Sequence, residues 1–335
     1  MRLYLFTLLA GIGGFAAAAE ANTIILTAGA GGQYKTVSAA VAAADADTNA
    51  NDYYDIRVMP GAYVNDFPHV TRAMTIEVDP AYAGQPVVLR ATKALPNEKG
   101  IILAAASLTV NGLTFTGAQI ADSLGGNGAG IRDQNTAAAT LIVQNSVFTG
   151  NQEGILTGND ADETITVVNS NFVNNGNPDA GYFQHGLYVN YAGTLTVSNS
   201  LFCGQLIGHD IKSRAAVTTV ENNRLYDGAG NAGLGCDPGS TSLAVDVPNG
   251  GAATVSGNQI IQGGATQNYK MVDYGEEGLI YGNNNFLVSD NSFTSSGAPS
   301  ATALYDPHCI TVQLNGNTFV GITAIVNPTG CAVSQ

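Results

Sequence analysis

The sequence predicts an all-β solenoid, a stack of short coils closed at its N-terminal end by a helix. Two observations carry this. The first is a recurring pattern: an aliphatic residue, two or three polar residues rich in Asn and Gly, then Phe, Leu or Ile five positions after the start. It begins at Val110 (VNGLTF), Val143 (VQNSVF), Val167 (VVNSNF), Val197 (VSNSLF), Val220 (VENNRL), Val255 (VSGNQI), Val288 (VSDNSF) and Leu314 (LNGNTF), at spacings of 23 to 35 residues. Periods of about 20 to 50 residues mark stacked repeats, and their irregularity marks loops of varying length. Alternation within each unit is strand-like, and the Asn-Gly, Asn-Ser and Asp-Asn pairs mark turns. The second is composition. Charged residues make up 11% of the 335 and hydrophobic ones 45%. That leaves too few Glu, Lys and Arg to clothe a helical bundle or coiled coil, and too much apolar chain for disorder. The net charge of −14 also speaks against a sequence-independent nucleic-acid binder.

The elements follow in chain order. Arg2, the apolar residues 3–15 and the small residues 16–19 read as a secretory signal, cut after Ala19 or Ala21. The apolar run is shorter than the roughly 20 residues a membrane span needs. Residues 1–21 are therefore expected to be removed, leaving one domain, 22–335, secreted or periplasmic and free of the membrane. In GGQYKTVSAAVAAA (31–44), Val37, Ala40, Val41 and Ala44 form an apolar stripe at helical spacing. This helix would cover the open end of the solenoid, where unpaired strand edges invite aggregation. DIRVMPGAYV (55–64) is the strand after it. Residues 228–240, 263–268 and 275–285 read as loops between coils. The cysteines are Cys203, Cys236, Cys309 and Cys331. Their spacing fits no zinc site, and an even number in an exported chain suggests disulfides. Proximity favours Cys203–Cys236 and Cys309–Cys331.

The repeat and the 31–64 entry together resemble the pectate-lyase-like proteins over about residues 22–335. That resemblance implies a single-stranded right-handed parallel β-helix with an N-terminal capping helix.

A second landmark aligns the coils: Gly130-Ile131-Arg132, Gly154-Ile155-Leu156, His185-Gly186-Leu187-Tyr188 and His209-Asp210-Ile211-Lys212. With Ile131, Ile155, Leu187 and Ile211 inward, period-two alternation points their successors outward. Val245 and Val272 extend the series. The expected outward ladder is Arg132, Leu156, Tyr188, Lys212, Asp246 and Asp273, with Asn190 and Arg214 two positions further along and His185 stacked on His209. After residue 100 the only basic residues are Arg132, Lys212, Arg214, Arg224 and Lys270. Three of these five fall within 212–224, in coils that also carry two of the four histidines.

A local cationic site in an acidic protein suits a carboxylated sugar. β-Elimination of a 4-linked uronide needs a cation on the carboxylate, a base for the C5 proton and an acid for the leaving oxygen. Lys212 flanked by Arg214 is the expected base, since a nearby like charge disfavours protonated Lys. Tyr188, His185 and His209 are the other catalytic candidates. Arg214, Arg132, Asn190, Asp246 and Arg224 are the expected substrate-binding residues.

HGLYV (185–189), GHDIKSRA (208–215), SLAVDVPNGG (242–251) and YGEEG (274–278) look like one group of bacterial secreted β-helix proteins. IKSR followed by ENNRL is similar to the Lys-Ser…Asn-x-x-Arg pattern of chondroitinase-B-like and alginate lyases. That similarity implies Lys212 as base and an assisting Arg, either Arg224 or Arg214. The later Leu-Arg-His-Gly motif of that family is missing.

The leading expectation is a secreted lyase of an acidic polysaccharide, acting as a monomer without a cofactor. Calcium held by Asp246, Asp273, Glu276 and Glu277 is the alternative, though no loop has calcium-binding spacing. The competing functions are a glycoside hydrolase using Asp246 and Asp273, a uronan C5-epimerase, and a non-catalytic glycan-binding surface protein. A pectin methylesterase would need an Asp motif that is absent.

Overall fold

The computed structural model describes residues 22–334, and the chain in it is a right-handed parallel β-helix. The signal segment expected in residues 1–21 lies outside the described residues. Three parallel sheets, of twelve, ten and ten strands, run its length.

The recurring hexapeptide is the corner between the twelve-stranded sheet and one of the ten-stranded ones, and each of its positions has a physical job. The first residue enters the core: Val110, Val143, Val167, Val197, Val220, Val255 and Val288 are fully buried. The third turns the chain through the left-handed region, with φ of 81° at Gly112, 53° at Asn145, 51° at Asn169, 51° at Asn199, 57° at Asn222, 65° at Gly257, 58° at Asp290 and 64° at Gly316. Gly, Asn and Asp are the residues that visit this region at least cost, and no other type occupies the column.

The fourth residue forms a buried polar ladder. The Asn223, Asn258 and Asn291 N–H groups donate to Oδ1 of Asn258, Asn291 and Asn317 in the following coil, each at 2.9 Å. Their Nδ2 groups donate back to the carbonyls of Val197, Val220 and Val255. Ser146, Ser170 and Ser200 fill the same place in earlier coils. The sixth residue stacks in the core: the rings of Phe115, Phe148, Phe172 and Phe202 lie 5.0, 4.8 and 4.5 Å apart and nearly parallel. Those spacings match the roughly 4.8 Å between neighbouring strands.

The N-terminal helix, Val37–Asp45, buries Val37, Ala40, Val41 and Ala44, the stripe that the periodicity marks. Thr36 caps it by accepting from Ala39 N–H at 3.1 Å. The Asp66 carboxylate accepts from the N–H groups of Val37 and Ser38 at 2.6 and 3.1 Å. The helix packs on the first strands of the stack. Both expected disulfides are formed: Cys203–Cys236 pins the 228–240 loop, and Cys309–Cys331 ties the last coils. Among the described residues, no helix is long and apolar enough to cross a membrane.

Two predictions follow from this core. Asn258→Ala strands the Asn223 N–H, the Val220 carbonyl and the Asn291 side chain inside the protein. A loss of about 3 kcal/mol is expected, read from denaturant unfolding; a loss under about 1 kcal/mol would mean the ladder is incidental.

The second concerns Asp210, which is fully buried with neither carboxylate oxygen bonded. Burial pushes its carboxyl well above the usual range, with Asp227 adding to the shift. A folded value raised above the unfolded one contributes stability below about pH 4 and loses it as pH rises. Asp210→Asn should therefore melt close to wild type near pH 4 and progressively higher than wild type towards pH 7. A pH-independent difference would contradict this.

Candidate functional site

One ten-stranded sheet carries the chemistry. Its inward residues Ile131, Ile155, Leu187, Ile211, Val245 and Val272 are fully buried. Their successors pair residue to residue up the outer face: Arg132, Leu156, Tyr188, Lys212, Asp246 and Asp273. The alternation breaks just before the inward aliphatics. A Cβ placed on Gly130, Gly154 or Gly186 would strike the ring of Phe148, Phe172 or Phe202, so these positions also point inward. The residues preceding them then face out. Strict alternation would have sent His185 and His209 into the core; this break instead brings Glu153, His185 and His209 to the face that carries Tyr188. The two imidazoles lie 4.8 Å apart, and His185 meets Tyr188 edge to face at 5.1 Å. Asp210 takes the glycine's inward place in its own coil, which accounts for its burial.

The cluster is bound together by charge. Lys212 Nζ lies 2.6 Å from Asp246 Oδ2 and 3.3 Å from Glu277 Oε1. His209 Nε2 lies 3.3 Å from the same Asp246 oxygen. Arg214 reaches Glu277 Oε2 through Nη1 at 2.6 Å and Glu277 Oε1 through Nη2 at 2.8 Å. It also donates to Asn249 Oδ1 and, from Nε, to Tyr188 Oη at 3.0 Å. Glu277 arrives on the loop 275–284, which is held over Pro248 and Asn249 by backbone hydrogen bonds; Tyr281 Oη in this loop donates to the Arg214 carbonyl. One coil further, Lys270 Nζ meets Asp273 at 3.3 Å and Glu276 at 3.2 Å and lies 3.4 Å from the Tyr305 ring centre.

Burial sets the proton inventory. It holds His209 well below the usual imidazole range, helped by Lys212. It does the same to His185, with His209, Lys212 and Arg214 adding. Both rings are neutral at neutral pH. Burial raises Asp246 although Lys212 pulls the other way, and it lifts Asp273 to about 9, with Glu276 contributing. For Arg214, burial works against the charge, but the hydrogen bonds to Glu277 and Tyr188 outweigh it and raise the guanidinium further. Glu277 is lowered, chiefly by its hydrogen bond to Arg214.

Three expectations need correction. Lys212 does stand on the outer row, but the loop 275–284 covers it, its side chain is only 10% exposed, and two carboxylates contact its ammonium. It is a partnered cation rather than an amine with only Arg214 beside it. Asp246 is 3% exposed and holds Lys212 and His209 rather than facing a substrate. Arg224 lies on a different sheet, in the strand Arg224–Asp227, where it bonds Tyr226 Oη at 2.8 Å; it has no part in the cluster.

The carboxylates weighed as calcium ligands face Lys212, Arg214 and Lys270. Arg132, Tyr188 and Asn190 line one cleft, with Asn190 Nδ2 bonded to the Thr157 carbonyl at 3.0 Å. Sequence reasoning missed Glu153, Asn249, Tyr182 and Phe183. Glu153 was findable, because it precedes Gly154 as His185 precedes Gly186. Glu277 was read only as a loop carboxylate or calcium ligand.

No family model matches the chain, and no curated protein matches it. Among solved structures it is similar to the A-module of a mannuronan C-5 epimerase from Azotobacter vinelandii, at 12% identity over 89% of this chain and 93% of that one, with a TM-score of 0.47. It is also similar to a pectin methylesterase from Aspergillus niger, at 9% identity over 90% and 87%, with a TM-score of 0.36. At such distances, activity has to be argued from this chain's own residues.

A prediction follows from the ion pair. Asp246→Asn leaves the buried Lys212 ammonium with only the half-exposed Glu277, at an expected loss of about 3 kcal/mol. Adding Lys212→Met should restore most of it, since no unpaired charge then remains. Denaturant unfolding of the two variants checks this, and additive losses would refute the pairing.

Proposed function

We propose that this protein modifies an acidic, uronate-containing polysaccharide, removing the C5 proton of a uronate with Tyr188 and completing β-elimination as a lyase. The observation that carries this reading is the 3.0 Å hydrogen bond from Arg214 Nε to Tyr188 Oη at the mouth of a cleft. It sets a permanent cation beside both the phenol oxygen and the place where a substrate carboxylate must lie.

Arg214 offsets the carboxylate charge, so electron density left at C5 is stabilised. The C5–H bond breaks towards the Tyr188 phenolate, whose charge the guanidinium meets before the reaction. The electron pair forms the C4–C5 double bond, and the C4–O bond breaks. The leaving oxygen takes a proton back from Tyr188, so one residue serves as base and then acid. Lys212 sits 5.9 Å from the Tyr188 ring centre; with Asp246 and Glu277 it fixes Arg214 and Tyr188 in place.

Epimerisation shares the first step but needs a proton from the opposite face, and neutral His185 and His209 offer no imidazolium to give it. Hydrolysis needs two free carboxyls flanking the bond. Asp246 is instead bound to Lys212, and Asp273 to Lys270. The two disulfides accord with action in an oxidising compartment outside the cytosol.

The test is turnover on a panel of uronate polymers. Wild type should shorten the chains and create unsaturated uronate ends that absorb in the ultraviolet. Tyr188→Phe should lose about 10²–10⁴-fold in rate with melting behaviour intact. Solvent deuterium entering C5 without chain shortening would make the protein an epimerase. Near-normal turnover by Tyr188→Phe would remove Tyr188 as the base.

A further inference from the structure

The cleft beside Tyr188 holds a feature that the proton transfer does not use. It has a volume of about 460 Å³, with Arg132, Glu153 and Tyr188 on the strands and Tyr182 and Phe183 on the loop before His185. Arg132 is partly buried, and its Nε and Nη1 are enclosed without any hydrogen-bond partner. Among the described residues it has no ion pair, whereas Lys212, Arg214 and Lys270 all do. Desolvating a guanidinium without a partner is costly, so the arrangement is suited to an anion brought from outside. The facing carboxyl of Glu153 does not fill that role: burial holds it well above the usual range, and its Oε2 accepts from His185 N–H at 2.7 Å. Asp122 lies at the rim without pairing to Arg132. Tyr182 and Phe183 are 58% and 55% exposed, two adjacent aromatic side chains left open at the cleft edge.

We propose that this cleft is a second uronate subsite, in which Arg132 takes a sugar carboxylate through Nε and Nη1 and Tyr182 and Phe183 lie against the sugar ring. A planar guanidinium with two parallel free N–H groups matches a carboxylate in both geometry and charge. Exposed aromatics beside a few convergent polar groups are the usual make-up of a ligand site. Arg132 stands two coils below Tyr188, about 9.6 Å along the row, and Arg214 lies on the far side of Tyr188. A chain running along the sheet then presents one carboxylate to Arg214 at the reacting sugar and another to Arg132 further along. The substrate class narrows to polymers with closely spaced uronates, rather than a lone uronate among neutral sugars. This rests on the reading of Tyr188 and Arg214 as the reacting end.

The experiment is calorimetric binding of saturated oligouronates four to six sugars long, and of the same oligomers methyl-esterified. It uses wild type, Arg132→Gln, a Tyr182→Ala/Phe183→Ala double variant, and Tyr188→Phe. Arg132→Gln should weaken acidic oligomers roughly tenfold to a hundredfold and leave the esterified ones unchanged. The double variant, altered only on an exposed loop, should weaken both several-fold with an unchanged melting temperature. Tyr188→Phe should bind acidic oligomers as wild type does. If Arg132→Gln binds acidic oligomers like wild type, or loses both kinds equally, or if no oligouronate binds wild type, the subsite is overturned. If Arg132→Gln loses acidic binding while Tyr188→Phe still turns over polymer, the subsite stands and the base assignment falls.

Discussion

The structure depends on one local constraint, the left-handed corner of each coil with its buried Ser or Asn ladder. The residue at Asn145, Asn169, Asn199 or Asn222 turns the chain, and the next residue bonds to its equivalent one coil on. Together they pin every coil to its neighbour in a single register, however long the loop in between. This matters because a slip of one residue in a strand exchanges its two faces. Tyr188, Lys212 and Asp246 can form a row only because coils of unequal length return to the same corner. Loops of varying length leave the corner column intact and put their variation at the edges of the site sheet, where residues 174–184 and 275–284 wall the cleft.

On that frame the chain places its few cations in graded environments. Lys212 is covered and matched by two carboxylates. Arg214 is matched by Glu277 but keeps Nε on the Tyr188 oxygen. Arg132 is enclosed and matched by nothing. In a protein of net charge −14, this gradient along one row distinguishes cations that hold the site together from those left to meet an anionic ligand. Burial completes the pattern by keeping His185, His209 and Glu153 neutral, so the cleft carries net positive character where a polyanion would lie.

Much of this was legible in the sequence. The repeat, the helix stripe and the pairing of cysteines all rest on periodicity or proximity, and the order Arg132 to Asp273 follows from aligning the inward aliphatics. What failed did so for identifiable reasons. The outward direction of His185 and His209 depends on a break in alternation at Gly186 and Asp210, which the two-residue period does not encode. The clasp of Glu277 on Lys212 and Arg214 comes from a loop more than 60 residues downstream, outside any repeat. Arg224 is near Lys212 in sequence but beyond the corner, on another sheet. Lys212 was legible as a cation on the right row, and its burial under that loop was not.

The account's central claim is that substrate meets Tyr188 and Arg214 while Lys212 stays bound to Asp246. A crystal structure of the Tyr188→Phe variant with an oligouronate tests it most directly. The account predicts a uronate carboxylate at Arg214, C5 above the ring at position 188, and the Lys212–Asp246 pair intact. An oligouronate seated elsewhere, or Lys212 swung off Asp246 to lie against C5, would contradict it.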